Sequence, residues 1–181
     1  MSRHDEEFTA FVSARYATLV RSAVLLGCPT PDAEDATQAA LARCYAAWSR
    51  VRRADDPDAY VYRVLVNGLS RGWRRRWRGE VPHADLPEPA GPDRVATGGD
   101  PAVVVDTRAD VRAALARLSV EHRRVLVLRY FADFTERQVS AVLDVPLGTV
   151  KSRTARAVAA LAAELAGTGR RDSRAPGGTE S

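Results

Sequence analysis

Apolar side chains recur every three to four residues along most of this chain, which is the spacing of an amphipathic α-helix. In the first part of the sequence this period predicts three helices, over about residues 8–26, 31–48 and 57–78. The strict alternation of apolar and polar residues that marks a half-buried strand is absent. We therefore predict an all-α fold.

Two of these helices have start signals. Thr30 precedes Pro31, and Asp56 precedes Pro57. Threonine and aspartate are favoured N-caps, and proline suits the first helical position because its missing N–H is not needed there. The sequence predicts that Thr30 and Asp56 cap the second and third helices.

The periodicity is interrupted between Gly79 and Asp106. Five of the ten prolines fall in this stretch, with six acidic residues against a single arginine. Such a segment cannot bury a core and predicts an extended linker. The predicted organisation is a first domain over residues 5–78, a flexible acidic linker over 79–105, a second domain over 106–166 and a disordered tail over 167–181.

The second domain begins with a helical period over residues 111–118. Ser119 is the expected cap of a following helix. Thr135 and Gln138 have the spacing of a capping box, which predicts a short third helix. A last helix follows Pro146. A short capped helix, a tight break and a further helix are together typical of a helix-turn-helix.

The last helix divides into two sides at 100° per residue. The packed side is predicted to carry Val150, Ala157, Val158 and Leu161, and the donor-rich side Thr149, Ser152, Arg153 and Arg156. Between residues 146 and 163 there is no acidic residue to repel a phosphate backbone. Arg153 and Arg156 suit guanine edges, whereas Thr149 and Lys151 suit phosphates near the helix start. The alternative is an amphipathic helix whose arginines are merely solvated.

These residues carry a resemblance to a known family. Leu118-Ser119-x-x-His122-Arg123 and the later block Gly148-Thr149-Val150-Lys151-Ser152-Arg153 resemble region 4 of sigma-70 family sigma factors, in particular the extracytoplasmic-function (group IV) type. Ser119 stands where proline is common in the family, and Asp144 where glycine is common. The resemblance implies that Thr149, Lys151, Ser152, Arg153 and Arg156 bind the promoter −35 element.

The second predicted helix resembles the region 2 helix that docks on the polymerase clamp. The run Ala33-Glu34-Asp35-Ala36-x-Gln38 gives it an acidic first turn and a polar strip. The resemblance implies polymerase contacts at Asp35, Gln38 and Leu41. An acidic, solvated turn stabilised by the helix dipole would have the same sequence.

The third predicted helix ends in arginines interleaved with tryptophans. Arginines hold phosphates and aromatic rings stack on exposed bases, so this composition suits a separated DNA strand. By resemblance, the residues of this segment that bind the −10 element are Tyr60, Asn67, Arg71, Trp73, Arg74, Arg75, Arg76 and Trp77. Trp73 and Trp77 could instead continue the apolar stripe of Val66 and Leu69. Gly68 and Gly72 predict a bend or loop.

The predicted linker is long enough for both sites to be occupied together. Promoter elements about 17 base pairs apart are separated by roughly 55–60 Å, and the linker spans at most about 90–100 Å. The resemblance implies core RNA polymerase, through its clamp and flap regions, and promoter DNA as partners. An anti-sigma factor is a further candidate partner. The alternative is a helix-turn-helix regulator that binds duplex DNA without polymerase.

The composition gives no support for an enzyme. The three histidines are scattered, and there is no phosphate loop or GxSxG motif. Cys28 and Cys44 lack the spacing of a zinc site and predict buried thiols. We expect no metal, cofactor or small-molecule ligand. The polar N-terminus and the absence of a long apolar run predict a cytoplasmic protein that does not bind a membrane.

Overall fold

The computed structural model describes the backbone of residues 3–79 and 101–172 and the side chains of residues 3–71 and 109–167. Every regular element in these ranges is helical, which confirms the all-α prediction. Residues 80–100, which form most of the predicted linker, and residues 173–181 of the predicted tail lie outside the described residues.

The first helical unit consists of four helices: α1 (Arg3–Leu25), α2 (Thr30–Ala46), α3 (Trp48–Val51) and α4 (Pro57–Gly79). The sequence pattern did not separate α3, a single turn, from α2. The break falls at Ala47, whose φ of −115° and ψ of 19° leave the helical region.

One of the two predicted caps is present. The Asp56 carboxylate accepts a hydrogen bond from the Ala59 backbone N–H at 2.9 Å, as expected for the start of α4. The prediction for Thr30 is wrong. Pro29 occupies the N-cap of α2 with an extended backbone, so Thr30 is already helical and makes no capping hydrogen bond.

α4 is one continuous helix, so the chain forms no loop at Gly68 or Gly72. The flanking Val66 and Leu69 are buried and hold this part of the helix against the core. Burial of neighbouring side chains offsets the roughly 1 kcal/mol that a glycine costs inside a helix.

The first unit packs around the apolar faces of α1, α2 and α4. Across this core the buried hydroxyls of Ser22 and Tyr62 form a hydrogen bond of 2.8 Å. At one edge the Arg15 guanidinium makes a bidentate contact with the Asp58 carboxylate. The contact joins the middle of α1 to the first turn of α4 and fixes the position of α4 in the unit.

The second helical unit contains α5 (Pro101–Arg117), α6 (Val120–Leu126), a π-helical turn (Val127–Phe131), α7 (Glu136–Leu143) and α8 (Leu147–Asp172). Ser119 caps α6 by accepting from the His122 N–H at 3.2 Å, as predicted. Two helices are longer than expected. α5 begins inside the predicted linker, and α8 continues to Asp172, inside the predicted tail.

The two units pack against each other in the described residues. The rings of Tyr62 and Phe134 meet edge to face, with centroids 4.9 Å apart. Gln138 Nε2 donates to Asp56 Oδ2 at 2.6 Å. The Arg124 guanidinium donates to the Ser70 hydroxyl, also at 2.6 Å. Together these contacts join α4 and its N-cap to α6, α7 and the turn between those two helices.

Candidate nucleic-acid interface

α7 and α8 form the predicted helix-turn-helix. The capping box is complete: the Thr135 N–H donates to Gln138 Oε1 at 2.7 Å, and the Gln138 N–H donates to Thr135 Oγ1 at 3.3 Å. Asp144 ends α7 in the left-handed region, with a φ of 54° and a ψ of 50°. This reversal directs the chain into α8, where the Thr149 N–H donates to the Pro146 carbonyl at 2.9 Å.

One side of α8 is packed, as the periodicity predicted. Val150 and Ala157 are fully buried, and Leu161 packs against the same core. The prediction for Val158 is wrong, because this side chain is 44% exposed. At 100° per residue, Val158 lies 80° around the axis of α8 from Val150. This places it outside the part of the α8 surface that packs against α5 to α7. The packed side is thus narrower than expected.

The outward side of α8 presents Lys151, Ser152 and Arg156, all exposed, with Thr149 half-buried at its start. Arg156 lies along the helix: its Nε donates to the Ser152 carbonyl at 3.2 Å, and its Nη2 lies 3.3 Å from Ser152 Oγ. These contacts hold the guanidinium over the outward face. A planar fork in this place can donate two parallel hydrogen bonds to a guanine edge.

Two basic residues of α8 are paired within the unit. Arg153 Nη2 lies 3.2 Å from a Glu121 oxygen, and its side chain is only 24% exposed. Lys151 Nζ lies 3.9 Å from Glu136. Arg156 is the basic side chain, among those described on α8, for which the structure shows no acidic partner. The sequence did not anticipate these pairs, because both acids come from other helices.

The −10 candidates on α4 share one face where they are described. Tyr60, Asn67 and Arg71 are spaced by seven and four residues, which places them on one side of a helix. Asn67 and Arg71 are exposed and Tyr60 is half-buried. The Arg63 guanidinium lies 5.4 Å from the centre of the Tyr60 ring. The side chains of Trp73, Arg74, Arg75, Arg76 and Trp77 lie outside the described residues, although the α4 backbone passes through them.

The polymerase candidates on α2 divide into surface and core. Asp35 and Gln38 are exposed, and the Gln38 amide donates to the Tyr16 hydroxyl at 3.4 Å. Leu41 is 6% exposed and belongs to the core of the first unit. Leu41 therefore holds α2 in place, while Asp35 and Gln38 form an outward strip.

Arg123 of the family-like motif and Arg129, six residues further on, are held by backbone carbonyls of the same unit. Arg123 donates to three backbone carbonyls at the end of α5, those of Leu115 at 2.8 Å, Ala116 at 2.7 Å and Leu118 at 3.1 Å. Arg129 donates to the Phe134 carbonyl. Helix ends leave carbonyls without partners, so basic residues beside them often bind backbone. The position of these arginines close to a predicted helix end was the sequence feature that could have indicated this structural role.

The described residues contain no group of three or more potential metal ligands. Cys28 and Cys44 are buried thiols, as predicted. Burial raises the pKa of the Cys44 thiol to about 11, which keeps it protonated and unsuited to metal binding near neutral pH. None of the described helices has the length and apolar character needed to cross a membrane.

Comparison with known proteins places both units in one family. The profile of Sigma-70 region 2 matches residues 12–79, and that of Sigma-70 region 4 matches residues 108–161. The RNA polymerase sigma-E factor of Streptomyces coelicolor is 36% identical over 159 residues, covering 88% of this chain and 86% of that protein. The ECF RNA polymerase sigma factor SigL of Mycobacterium tuberculosis is 33% identical over 153 residues, covering 80% and 81%.

Solved structures share the fold. The sigma factor RpoE of Bartonella quintana, in complex with the anti-sigma factor NepR, superposes with a TM-score of 0.72 at 22% identity, covering 88% of this chain and 97% of that one. CnrH, in complex with the cytosolic domain of CnrY, gives a TM-score of 0.63 at 23% identity, covering 90% of each chain.

The chain therefore belongs to the sigma-70 family of RNA polymerase sigma factors, in its extracytoplasmic-function group. The match to region 2 explains the first unit, which an ordinary helix-turn-helix regulator would not need. Sigma-factor function is accordingly favoured over the regulator alternative.

Proposed function

We propose that this chain directs core RNA polymerase to specific promoters by reading the −35 element with α8 and capturing the −10 element with α4. The observation that carries the proposal is the split character of α8. Its packed side is buried against α5 to α7, and its outward side presents Ser152 and Arg156. A helix of this kind after a tight turn suits the major groove.

The residues of α8 have different roles in this proposal. Arg156 donates to a guanine edge, and Ser152 steadies its guanidinium over the groove. Thr149 and Lys151, near the helix start, contact phosphates. Arg153 reads bases with the donors that its pair with Glu121 leaves available, since a guanidinium has five N–H groups.

On α4 the proposal assigns Tyr60, Asn67 and Arg71 to the separated −10 strand. The exposed amide of Asn67 suits a base edge, and Arg71 suits a phosphate. The proposal also assigns to this strand the arginines and tryptophans of residues 73–77, which follow along the α4 backbone. Stacking on aromatic rings is worth about 1–3 kcal/mol per base.

Asp35 and Gln38 bind the polymerase clamp in this scheme, with Leu41 supporting α2 from the core. Residues 5–78 form the region 2 domain and residues 106–166 the region 4 domain. The acidic linker between them was predicted over residues 79–105 and the tail over 167–181, and α5 and α8 extend into these two ranges. The second domain contacts the polymerase flap.

The proposed activity is binding alone, so the chain forms and breaks no covalent bond and needs no cofactor. It acts in the cytoplasm, where core polymerase and promoter DNA are found. An anti-sigma factor is a proposed further partner. The support is that a solved relative of the same fold, RpoE of Bartonella quintana, was crystallised with the anti-sigma factor NepR.

Reconstitution with core polymerase tests the proposal. The chain should co-purify with core and direct run-off transcription from a defined promoter. A chain that never associates with core would overturn the proposal.

Arg156→Ala tests the −35 contact. It should weaken binding to the −35 element by about 1–3 kcal/mol and relax specificity at one base. The matched control is Arg112→Ala, which removes an exposed arginine from α5 of the same unit and should leave specificity unchanged. Equal losses on all sequences would instead make Arg156 a phosphate contact.

Neutralising Arg74, Arg75 and Arg76 together tests the −10 surface. Promoter opening should fall more than polymerase binding, because these residues act on the separated strand. The permanganate reactivity of the −10 thymines measures opening. Unchanged reactivity would remove these arginines from the proposed surface.

A further inference from the structure

An arginine of α2 lies against α4 at the point where α4 has no side chain. A Cβ atom added to Gly68 would lie 3.4 Å from Nη1 of Arg43. The Arg43 side chain is exposed and Gly68 is half-buried. The guanidinium of Arg43 thus reaches across the surface of a neighbouring helix and fits over its backbone.

The position of Gly68 places this guanidinium beside the proposed −10 surface. Residues three apart on a helix are surface neighbours, with Cβ atoms about 5–6 Å apart. Arg71 is three residues after Gly68, and its exposed side chain belongs to the face shared with Tyr60 and Asn67. Arg43 therefore widens that face on the side of α2.

Some arginines of the first unit are paired with acids, whereas Arg43 is not. Arg15 is paired with Asp58, and Arg52 with Glu7. No described carboxylate forms an ion pair with Arg43, and Gly68, over which its guanidinium lies, is three residues before the cationic Arg71 on α4. Two like charges held near each other on a surface attract an anion and favour its binding.

We propose that Arg43 is an additional phosphate contact for the separated −10 strand, acting next to Arg71. The inference rests on the proposed function of α4 and adds a residue from a different helix. Gly68 contributes to this phosphate contact, because a larger side chain there would occupy the space that the Arg43 guanidinium uses.

The test uses holoenzyme, formed from the full chain and core polymerase, and a single-stranded oligonucleotide carrying the −10 sequence. Binding is measured against salt concentration. Each phosphate contact to a single strand contributes about 0.7 to the slope of log K against log salt. Arg43→Ala should lower that slope by about 0.7, and Arg43→Lys should preserve it because the charge remains.

The matched control is Arg3→Ala, which removes one arginine from the start of α1, where it pairs with Glu7. Its slope should equal that of the wild type. An unchanged slope for Arg43→Ala would overturn the inference, as would a loss confined to the binding of core polymerase. Failure of the wild-type holoenzyme to bind the oligonucleotide would instead refute the proposed function of α4.

Substitutions at Gly68 give an independent arm. Gly68→Ala places its methyl group in ordinary contact with Arg43 and should leave the slope unchanged. Gly68→Leu should displace the guanidinium and lower the slope as Arg43→Ala does. In the Arg43→Ala background, Gly68→Leu should then have no further effect. An equal further loss in that background would contradict a shared mechanism.

Discussion

Replacing Phe134 by alanine should destabilise the chain strongly. Phe134 is 5% exposed, and its ring meets Tyr62 of the other unit edge to face. Truncation of a buried phenylalanine costs about 3–5 kcal/mol through lost transfer energy and the cavity left behind. An aromatic pair of this geometry accounts for about 0.5–1.5 kcal/mol beyond area burial. The remainder is the area burial and the cavity left beside the α7 cap, which Phe134 immediately precedes.

A double-mutant cycle separates the two parts. Tyr62→Leu and Phe134→Leu are made singly and together, and the free energy of unfolding is measured by urea titration. Tyr62→Leu also removes the hydrogen bond to Ser22. That loss is common to the single and double variants and cancels in the cycle. The coupling energy should be about 0.5–1.5 kcal/mol.

A matched cycle on Phe8 and Trp48 provides the control. These rings lie 5.2 Å apart in a T-shaped arrangement, both within the first unit. Their coupling does not depend on contact between the units. Measurable coupling for Phe8 and Trp48 with none for Tyr62 and Phe134 would refute the reasoning, because it would show that the units do not touch through these rings in solution.

Substitutions at three further positions have defined outcomes. Burial raises the pKa of Cys44 from 9.0 to about 11, so the unfolded thiol ionises first and the free energy of unfolding should fall between those pH values. Cys44→Ala should remove that component from a pH series of urea titrations. Asp144→Gly should raise the free energy of unfolding by about 1 kcal/mol, because glycine adopts the left-handed φ of 54° without penalty; a lower thermal midpoint would contradict this. Arg123→Ala should cost about 2–3 kcal/mol through three carbonyls left without their donor, with Arg123→Lys intermediate by the same titration.

Local signals in the sequence predicted much of the fold. Asp56 before Pro57, Ser119, and the pair Thr135 and Gln138 each cap the helix they were expected to cap. Such signals work because the partners lie within three residues of one another. The prediction that Thr30 caps α2 was wrong, although threonine is a favoured N-cap residue. The backbone of Pro29 takes the extended N-cap geometry one residue earlier.

Contacts between distant residues could not be predicted in this way. Arg153 pairs with Glu121, and Arg124 donates to Ser70. Both contacts depend on how the helices pack, which the spacing of apolar residues in the sequence does not show. The exposure of Val158 has the same origin, since its neighbours decide how wide the packed side of α8 is. The sequence thus predicted which residues of α4 and α8 form the candidate DNA-binding site. It did not predict the ion pairs that partly neutralise Lys151 and Arg153.

The hydrogen bond from Gln138 to Asp56 is made by side-chain atoms that take no part in capping α4 or α7. Asp56 caps α4 through Oδ1 and accepts from Gln138 through Oδ2. Gln138 caps α7 through Oε1 and donates through Nε2. Water can replace this single bond while both caps remain closed. This contact between the two halves of the molecule can therefore open and close without fraying the start of either helix.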